Sequence, residues 1–293
     1  MTTGRFGKPQ GGDKSRAACD TAPFEGADEA QDALAVRGLV VRYGKSVILD
    51  GVDMSVPRGE VRVILGGSGS GKSTLLRGIL GLAEVSSGSV EILGKDVVAL
   101  GEAERALHMQ RIGVMFQNAA LLGSLTVAEN VALPLLEHRG YPSEVNLEIV
   151  RMKLELVGLG HAAHLYPSEL SGGMKKRAGI ARAMVLDPEI LFCDEPSAGL
   201  DPITSAELDT LILNLKRLFD MTVVVVTHEL ASIEAIADSL IMVGGGKVIA
   251  EGKVAQMRAK GHPEVDAFFS RIARRHPPGS RRTAASLLGL EKS

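Results

Sequence analysis

The hydrophobic and polar positions change rhythm several times along the chain, and each rhythm predicts an element. Residues 1 to about 34 are rich in Gly, Asp, Ala and Thr without periodicity, the composition of a disordered tail. From "LAVRGLVVRYG" onward short β-branched runs alternate with Gly, which predicts strands and turns. Three later runs, "VRVIL" (61–65), "EILFC" (189–193) and "TVVVVT" (222–227), are apolar almost throughout instead of alternating. Parallel strands covered by helices on both faces have that pattern, so these are the expected central strands. Between the first and second of them a mostly helical region is expected, centred on a subdomain of about residues 118–186 inserted into an α/β core. Within it "SEVNLEIVRMKLELVGL" (143–159) has apolar residues near helical spacing, and Ser171 gives the cap signal for a helix over "SGGMKKRAGIARAMVL". Asp201 followed by Pro202 reads as an N-cap and first helical position. "SLIMVGGGKVIAEG" (239–252) predicts a closing hairpin turning at Gly244 to Gly246. Residues 256–293 read as an extension beyond the 35–255 domain, ending in a basic, Pro-broken and then briefly apolar stretch.

Composition narrows the class. With 293 residues and 45% hydrophobic content the chain can bury a sizeable core. A net charge of -2 with no block of like charge gives no footprint for nucleic acid. Of the two cysteines, Cys19 lies in a polar stretch and Cys193 in an apolar run, so neither a disulfide frame nor a metal spacing is legible; a reducing, cytoplasmic compartment fits. No apolar run approaches the ~18 residues that span a bilayer, and the N-terminus lacks the apolar centre of a signal peptide. If the chain serves a membrane, another chain is expected to cross it.

The first chemistry-bearing motif is "GGSGSGKST", Gly66, Gly67, Ser68, Gly69, Ser70, Gly71, Lys72, Ser73 and Thr74. It follows the strand "VRVIL" directly and opens a helix-like stretch, the context a phosphate loop demands. Glycines there let backbone N–H groups approach phosphate oxygens, Lys72 supplies a point charge to the terminal phosphates, and Ser73 offers a hydroxyl to Mg²⁺. A bound anion also meets the positive end of the helix dipole.

"EILFCDEP" ends an apolar strand with adjacent carboxylates, Asp194 and Glu195. Ligands bind at the carboxyl ends of parallel strands, so an acid pair that alone would read as a solvated strand end is expected to meet the phosphates. Asp194 suits the Mg²⁺ shell, and Glu195 is left to orient and deprotonate the attacking water. His228, at the carboxyl end of the next strand, is expected beside Glu195 if the two strands are neighbours.

These motifs, together with "LSGGMKKR" (170–177), resemble the nucleotide-binding subunit of ATP-binding cassette (ABC) transporters over about residues 36–255. The resemblance implies a mostly parallel phosphate-loop core, an antiparallel β part at the N-terminus, and ATP sandwiched between two head-to-tail copies. It places Ser171, Gly172 and Gly173 against the γ-phosphate held by the partner copy, Tyr43 on the adenine, Gln117 at Mg²⁺ and the water, and Asp201 across the dimer interface. A plain Gly-rich helix start with a solvated Lys-Lys-Arg face is the rival reading of "LSGGMKKR". Met174 in the signature, "LDPITS" and "FQNAALLGSLTVAENVALPL" are similar to the ATPase subunits of Mla-type transporters. That similarity implies phospholipid transport with integral membrane permeases, an Mce-class lipid-binding protein and a small cytoplasmic accessory subunit, at the cytoplasmic face of the inner membrane. The alternatives are a cassette ATPase for an organic solvent or small hydrophobic solute, a nucleic-acid-associated cassette ATPase, and a soluble phosphate-loop kinase.

Overall fold

The computed structural model describes residues 32–259 and 262–275, so most of the expected tail and the end of the C-terminal extension lie outside the described residues. In chain order the elements are β1 (Leu34–Tyr43), β2 (Ser46–Val56), β3 (Val61–Leu65), α1 (Lys72–Ile79), β4 (Val85–Ile92), β5 (Lys95–Asp96), α2 (Glu102–Met109), β6 (Ile112–Met115), α3 (Val127–His138), α4 (Ser143–Leu156), α5 (Gly172–Ala183), β7 (Ile190–Asp194), α6 (Pro202–Phe219), β8 (Thr222–Val226), α7 (Leu230–Ile236), β9 (Ser239–Gly244), β10 (Lys247–Gly252), α8 (Val254–Ala259) and α9 (Pro263–Arg275). Ala33 and Leu34 are fully buried, so the fold starts just ahead of the expected boundary.

The strands form two sheets. A six-stranded sheet has the order β10-β9-β3-β8-β7-β6, with parallel pairing from β9 to β6 and antiparallel pairing only between β9 and β10. A four-stranded antiparallel sheet, β2-β1-β4-β5, covers one of its faces. The fold class is therefore α/β with a mostly parallel core and an antiparallel N-terminal part.

The unbroken apolar runs have a direct structural cause. Val63 of β3, Val225 of β8 and Cys193 of β7 face one core, with the helices α3 to α6. Their neighbours Ile64, Val224 and Phe192 face a second core, with α1 and the antiparallel sheet. Both faces are dry, so both sets of alternating positions are apolar.

One expectation is corrected. The stretch between β3 and β7 is not simply helical: β4, β5 and β6 lie there, and β6 adds the last parallel strand. α1 and α2 alternate with those strands, and the run of consecutive α-helices is α3, α4 and α5. Thr126 and Glu129 form a reciprocal capping box at the start of α3, satisfying its first amides. Lys153 of α4 is buried, its ammonium paired with the Asp187 carboxylate and 4.6 Å from the Phe219 ring centroid, so one cation ties the helical part to α6 of the core. Among the described residues no helix is long and apolar enough to cross a membrane.

Candidate active site

The phosphate loop, Gln117, the acid pair and His228 follow the carboxyl ends of β3, β6, β7 and β8, neighbours in the parallel sheet. The loop Gly66–Gly71 leaves β3 and turns into α1. Its glycines have different causes. At Gly66 (φ 156°) a Cβ would stand 2.2 Å from the Val243 carbonyl oxygen, and at Gly71 (φ 107°) it would stand 2.8 Å from Leu49 Cδ2. Those two are dictated by packing inside the chain. At Gly67 a Cβ would meet nothing within 4 Å, and its φ is unexceptional. The open space there is a cradle that a side chain would fill.

Lys72 folds back over this cradle, donating from Nζ to the carbonyl oxygens of Gly66 (2.9 Å) and Gly67 (3.0 Å). Burial lowers the pKa of its ammonium, and the nearby carboxylates of Glu195 and Asp194 oppose that shift. Ser73 is exposed and Thr74 half-buried at the start of α1, while Ser68 and Gly69 are exposed at the loop tip. Ser70 Oγ is buried and has no hydrogen-bond partner.

Asp194 closes β7, and Glu195 follows in a left-handed conformation (φ 46°). The Glu195 amide donates to the Val226 carbonyl oxygen (2.8 Å), which locks the turn against β8. Because β7 and β8 are parallel neighbours, the loop after β8 brings His228 alongside: Nδ1 donates to Glu195 Oε1 at 2.7 Å. Asp194 Oδ1 and Glu195 Oε2 are buried without a hydrogen-bond partner. Burial raises the Asp194 pKa, the Glu195 charge adds to the rise, and Arg77, Lys72 and Lys176 oppose it. Two unpaired buried carboxylate oxygens call for a cation or a proton donor opposite.

The residues fit Mg²⁺. The expected donors, the Asp194 carboxylate, the Ser73 hydroxyl and the exposed Gln117 carboxamide, are all oxygen ligands of the kind this hard cation takes. Among the described residues no three His, Cys, Asp or Glu side chains gather at one point.

The other predicted residues form a second group. Ser171 is exposed at the N-terminus of α5, and its Oγ accepts from the Met174 amide (3.2 Å). A Cβ on Gly172 would meet Leu200 Cδ2 at 3.4 Å, and one on Gly173 would meet Thr204 Cγ2 at 2.6 Å. The signature glycines thus pack on the start of α6. Asp201 caps that helix, accepting from the amides of Ile203 (3.0 Å) and Thr204 (3.1 Å) and from Thr204 Oγ1 (2.6 Å). Tyr43 is half exposed at the end of β1, paired with Ser46 at the hairpin tip.

Lys176, which only the rival reading placed on a solvated basic face and to which no role was given, is buried. Its Nζ donates to the Gln117 carbonyl oxygen and, at 3.1 Å, to that of Glu195. Arg182, six residues further on, donates to the carbonyl oxygens of Ala119 and Ala120, each at 2.7 Å. The available signal was phase: Lys176 lies three residues after Gly173 and four before Ile180, on the buried face of α5.

Comparison with known proteins gives the family. A family model described as "ABC transporter" matches residues 49–198. The ATP-binding protein mkl of Mycobacterium leprae, described as a probable ribonucleotide transport protein, is 39% identical over 238 residues, covering 81% of this chain and 69% of the relative. MlaF of Haemophilus influenzae, the ATP-binding protein of an intermembrane phospholipid transport system, is 40% identical over 227 residues, covering 78% of this chain and 86% of the relative. Among solved structures, the ATP-binding cassette MJ0796, a dimer in a post-hydrolysis state bound to ADP and Pi, superposes with a TM-score of 0.69 at 32% identity, covering 75% of this chain and 98% of that one. With the phosphate loop, the acid pair and the LSGG helix in place, the chain belongs to the ABC transporter family, as an ATP-binding and ATP-hydrolysing subunit.

Proposed function

We propose that two copies of this ATPase close head to tail around two ATP molecules, and that closing and reopening drives phospholipid movement through a separate membrane-embedded permease. The observation that carries this reading is the division of the donors. The loop 66–74, Asp194, Glu195 and His228 lie together, whereas Ser171 bonds to the Met174 amide and Gly172 and Gly173 pack on Leu200 and Thr204, with Ser171 exposed. Each group is half of a phosphate site, and a second copy supplies the other half. The dimeric form of the cassette MJ0796 supports the same pairing here.

In each composite site the loop amides and Lys72 hold the β- and γ-phosphates, and Tyr43 stacks on the adenine. Ser73, Asp194 and Gln117 would hold Mg²⁺, which supplies neutralisation of the charge developing on the phosphate oxygens. Glu195 takes a proton from water as the water oxygen bonds to the γ-phosphorus, the bond to the β–γ bridging oxygen breaks, and its electron pair leaves on ADP. His228 orients the Glu195 carboxylate through Nδ1. The partner's Ser171 hydroxyl and Gly173 amide meet the γ-phosphate at the positive end of α5, and Asp201 faces the partner across the joint.

Similarity to MlaF over most of that protein's length, with Met174 in the signature, supports a lipid substrate. An Mce-class lipid-binding protein and a small accessory subunit then complete the complex, with the ATPase peripheral at the cytoplasmic face of the inner membrane. Similarity to mkl favours a second reading, with a ribonucleotide as cargo. Replacing Glu195 with Gln is expected to leave ATP binding intact and to accumulate a dimer in size-exclusion chromatography with ATP, whereas Lys72→Ala abolishes tight binding; normal turnover by E195Q refutes the assignment of the base. Cargo is decided by mass spectrometry of the complex purified with its native membrane partners: co-purified phospholipid supports the first reading and ribonucleotide the second.

A further inference from the structure

Glu195 occupies a backbone conformation that a residue with a side chain adopts only under constraint. Its φ of 46° lies in the left-handed region, which is strained outside glycine and persists only when neighbours over-determine it. The constraints are countable. The amide donates to Val226 O at 2.8 Å, and the carbonyl accepts from Ala198 N at 3.2 Å and from Lys176 Nζ at 3.1 Å. Of these, only the Lys176 bond comes from outside β7, β8 and the turn itself.

The same ammonium donates to the carbonyl oxygen of Gln117, in the loop after β6. That loop takes two more left-handed residues in succession, Ala119 (φ 57°) and Ala120 (φ 49°), and Arg182 of α5 donates to both of their carbonyls. Gly179 lies between: a Cβ there would stand 3.0 Å from Ala119 Cβ, so α5 and the loop are in contact along more than a full turn. The helix that presents Ser171 at its N-terminus therefore grips the Gln117 loop with two cations and supports the Glu195 carbonyl with one of them.

We infer that Lys176 is a positioning residue for hydrolysis: it fixes the backbone of Glu195 and ties it to the backbone of Gln117, so that displacement of the Gln117 loop loosens the base. This rests on Glu195 acting as the general base. Lys176 acts through backbone carbonyls: it sets where the Glu195 carboxylate stands, and with it the contact between Oε1 and His228.

The test is steady-state ATPase kinetics and nucleotide affinity of the full chain with Lys176→Met and Lys176→Arg, alone and combined with Glu195→Gln. Lys176→Met keeps the aliphatic stem, and is expected to lower kcat by ~10- to 100-fold, the scale of a misplaced catalytic group, with KM and the Kd for ATP changed less than ~3-fold. Lys176→Arg, which retains a cationic donor, recovers the larger part of that loss. In the E195Q background, where the base is already gone, Lys176→Met changes residual turnover less than ~2-fold, because two changes acting through one group are not additive. Wild-type kcat in Lys176→Met overturns the inference. So does a parallel loss of ATP affinity and thermal stability, which marks a purely structural anchor, and so does a full additional loss in the E195Q background. If E195Q itself turns over normally, the assignment of the base has failed, and that result is distinguishable because it does not involve Lys176.

Discussion

The contact between α5 and α6 makes a quantitative stability prediction. Replacing Gly173 with Ala places a methyl 2.6 Å from Thr204 Cγ2, about 1 Å inside an ordinary carbon–carbon contact. Two relaxations are open. Rotating Thr204 about χ1 abandons the 2.6 Å bond from Oγ1 to Asp201 Oδ2 and loosens the cap of α6. Separating the helices instead incurs an overpacking cost of about 1–3 kcal/mol. The helix-propensity gain of Ala over Gly, at most ~1 kcal/mol in an interior, is smaller in the first turn of α5 where this residue sits. Gly173→Ala is therefore expected to destabilise by about 1–3 kcal/mol. Thr204→Ser removes the offending methyl and keeps the hydroxyl on Asp201, so in that background the Ala methyl enters vacated space and the penalty falls below ~0.5 kcal/mol. Urea unfolding of the four proteins at one pH, read as midpoint shifts at unchanged m, measures the cycle. Equal destabilisation by Gly173→Ala in both backgrounds refutes the packing argument, and stabilisation in the wild-type background refutes the close approach itself.

Two further outcomes follow from burial and capping. Burial pushes the Cys193 thiol up to about 12, so a C19S chain should show no thiol reacting with an aromatic disulfide reagent at pH 8 until denaturant is added, when one equivalent reacts. Asp201→Asn should keep most of the thermal stability by preserving a cap acceptor, whereas Asp201→Ala lowers the melting temperature by several degrees. The Asp201 carboxyl is held below its usual range by the Thr204 hydroxyl and amide and by the Ile203 amide, so its contribution is present above the unfolded-state pKa and lost as pH falls through the folded one. The gap between wild type and Asp201→Asn should accordingly close in acid melting curves.

What the sequence made legible is what local pattern encodes. β3, β7 and β8 stand out because each is dry on both faces, and the cap of α6 because Asp201 and Pro202 announce it locally. From parallel neighbours alone, His228 was expected beside Glu195, and Nδ1 lies 2.7 Å from Oε1. What escaped depends on distant partners. β6 is four residues long and becomes a strand only by pairing with β7, more than seventy residues later. β4 carries "VSSG" exposed at the margin of the small sheet, so its pattern resembles a loop. Lys176 escaped because a buried cation and a solvated one have the same letter. What buries it is the carbonyl geometry of two turns at positions 117 and 195, one of them left-handed, and no local propensity announces that pair.

On the proposed reading, α5 works at two sites at once, and its length sets how tightly they are joined. Ser171 at the N-cap faces the partner's γ-phosphate, while Lys176, five residues on and so about 7.5 Å along the axis, holds the backbone of this chain's own base. An α-helix over so short a span does not stretch. A tilt of α5 that brings Ser171 onto the partner's nucleotide therefore moves the Lys176 ammonium with it, and that ammonium is bonded to both Gln117 and Glu195. Completing one site and setting the other become one displacement. The loop that contains Gln117 bears on that displacement through Lys176 and Arg182 alike. A permease acting on this loop needs no separate path to the base: Arg182 holds the loop on α5, and Lys176 already joins the loop to the Glu195 backbone.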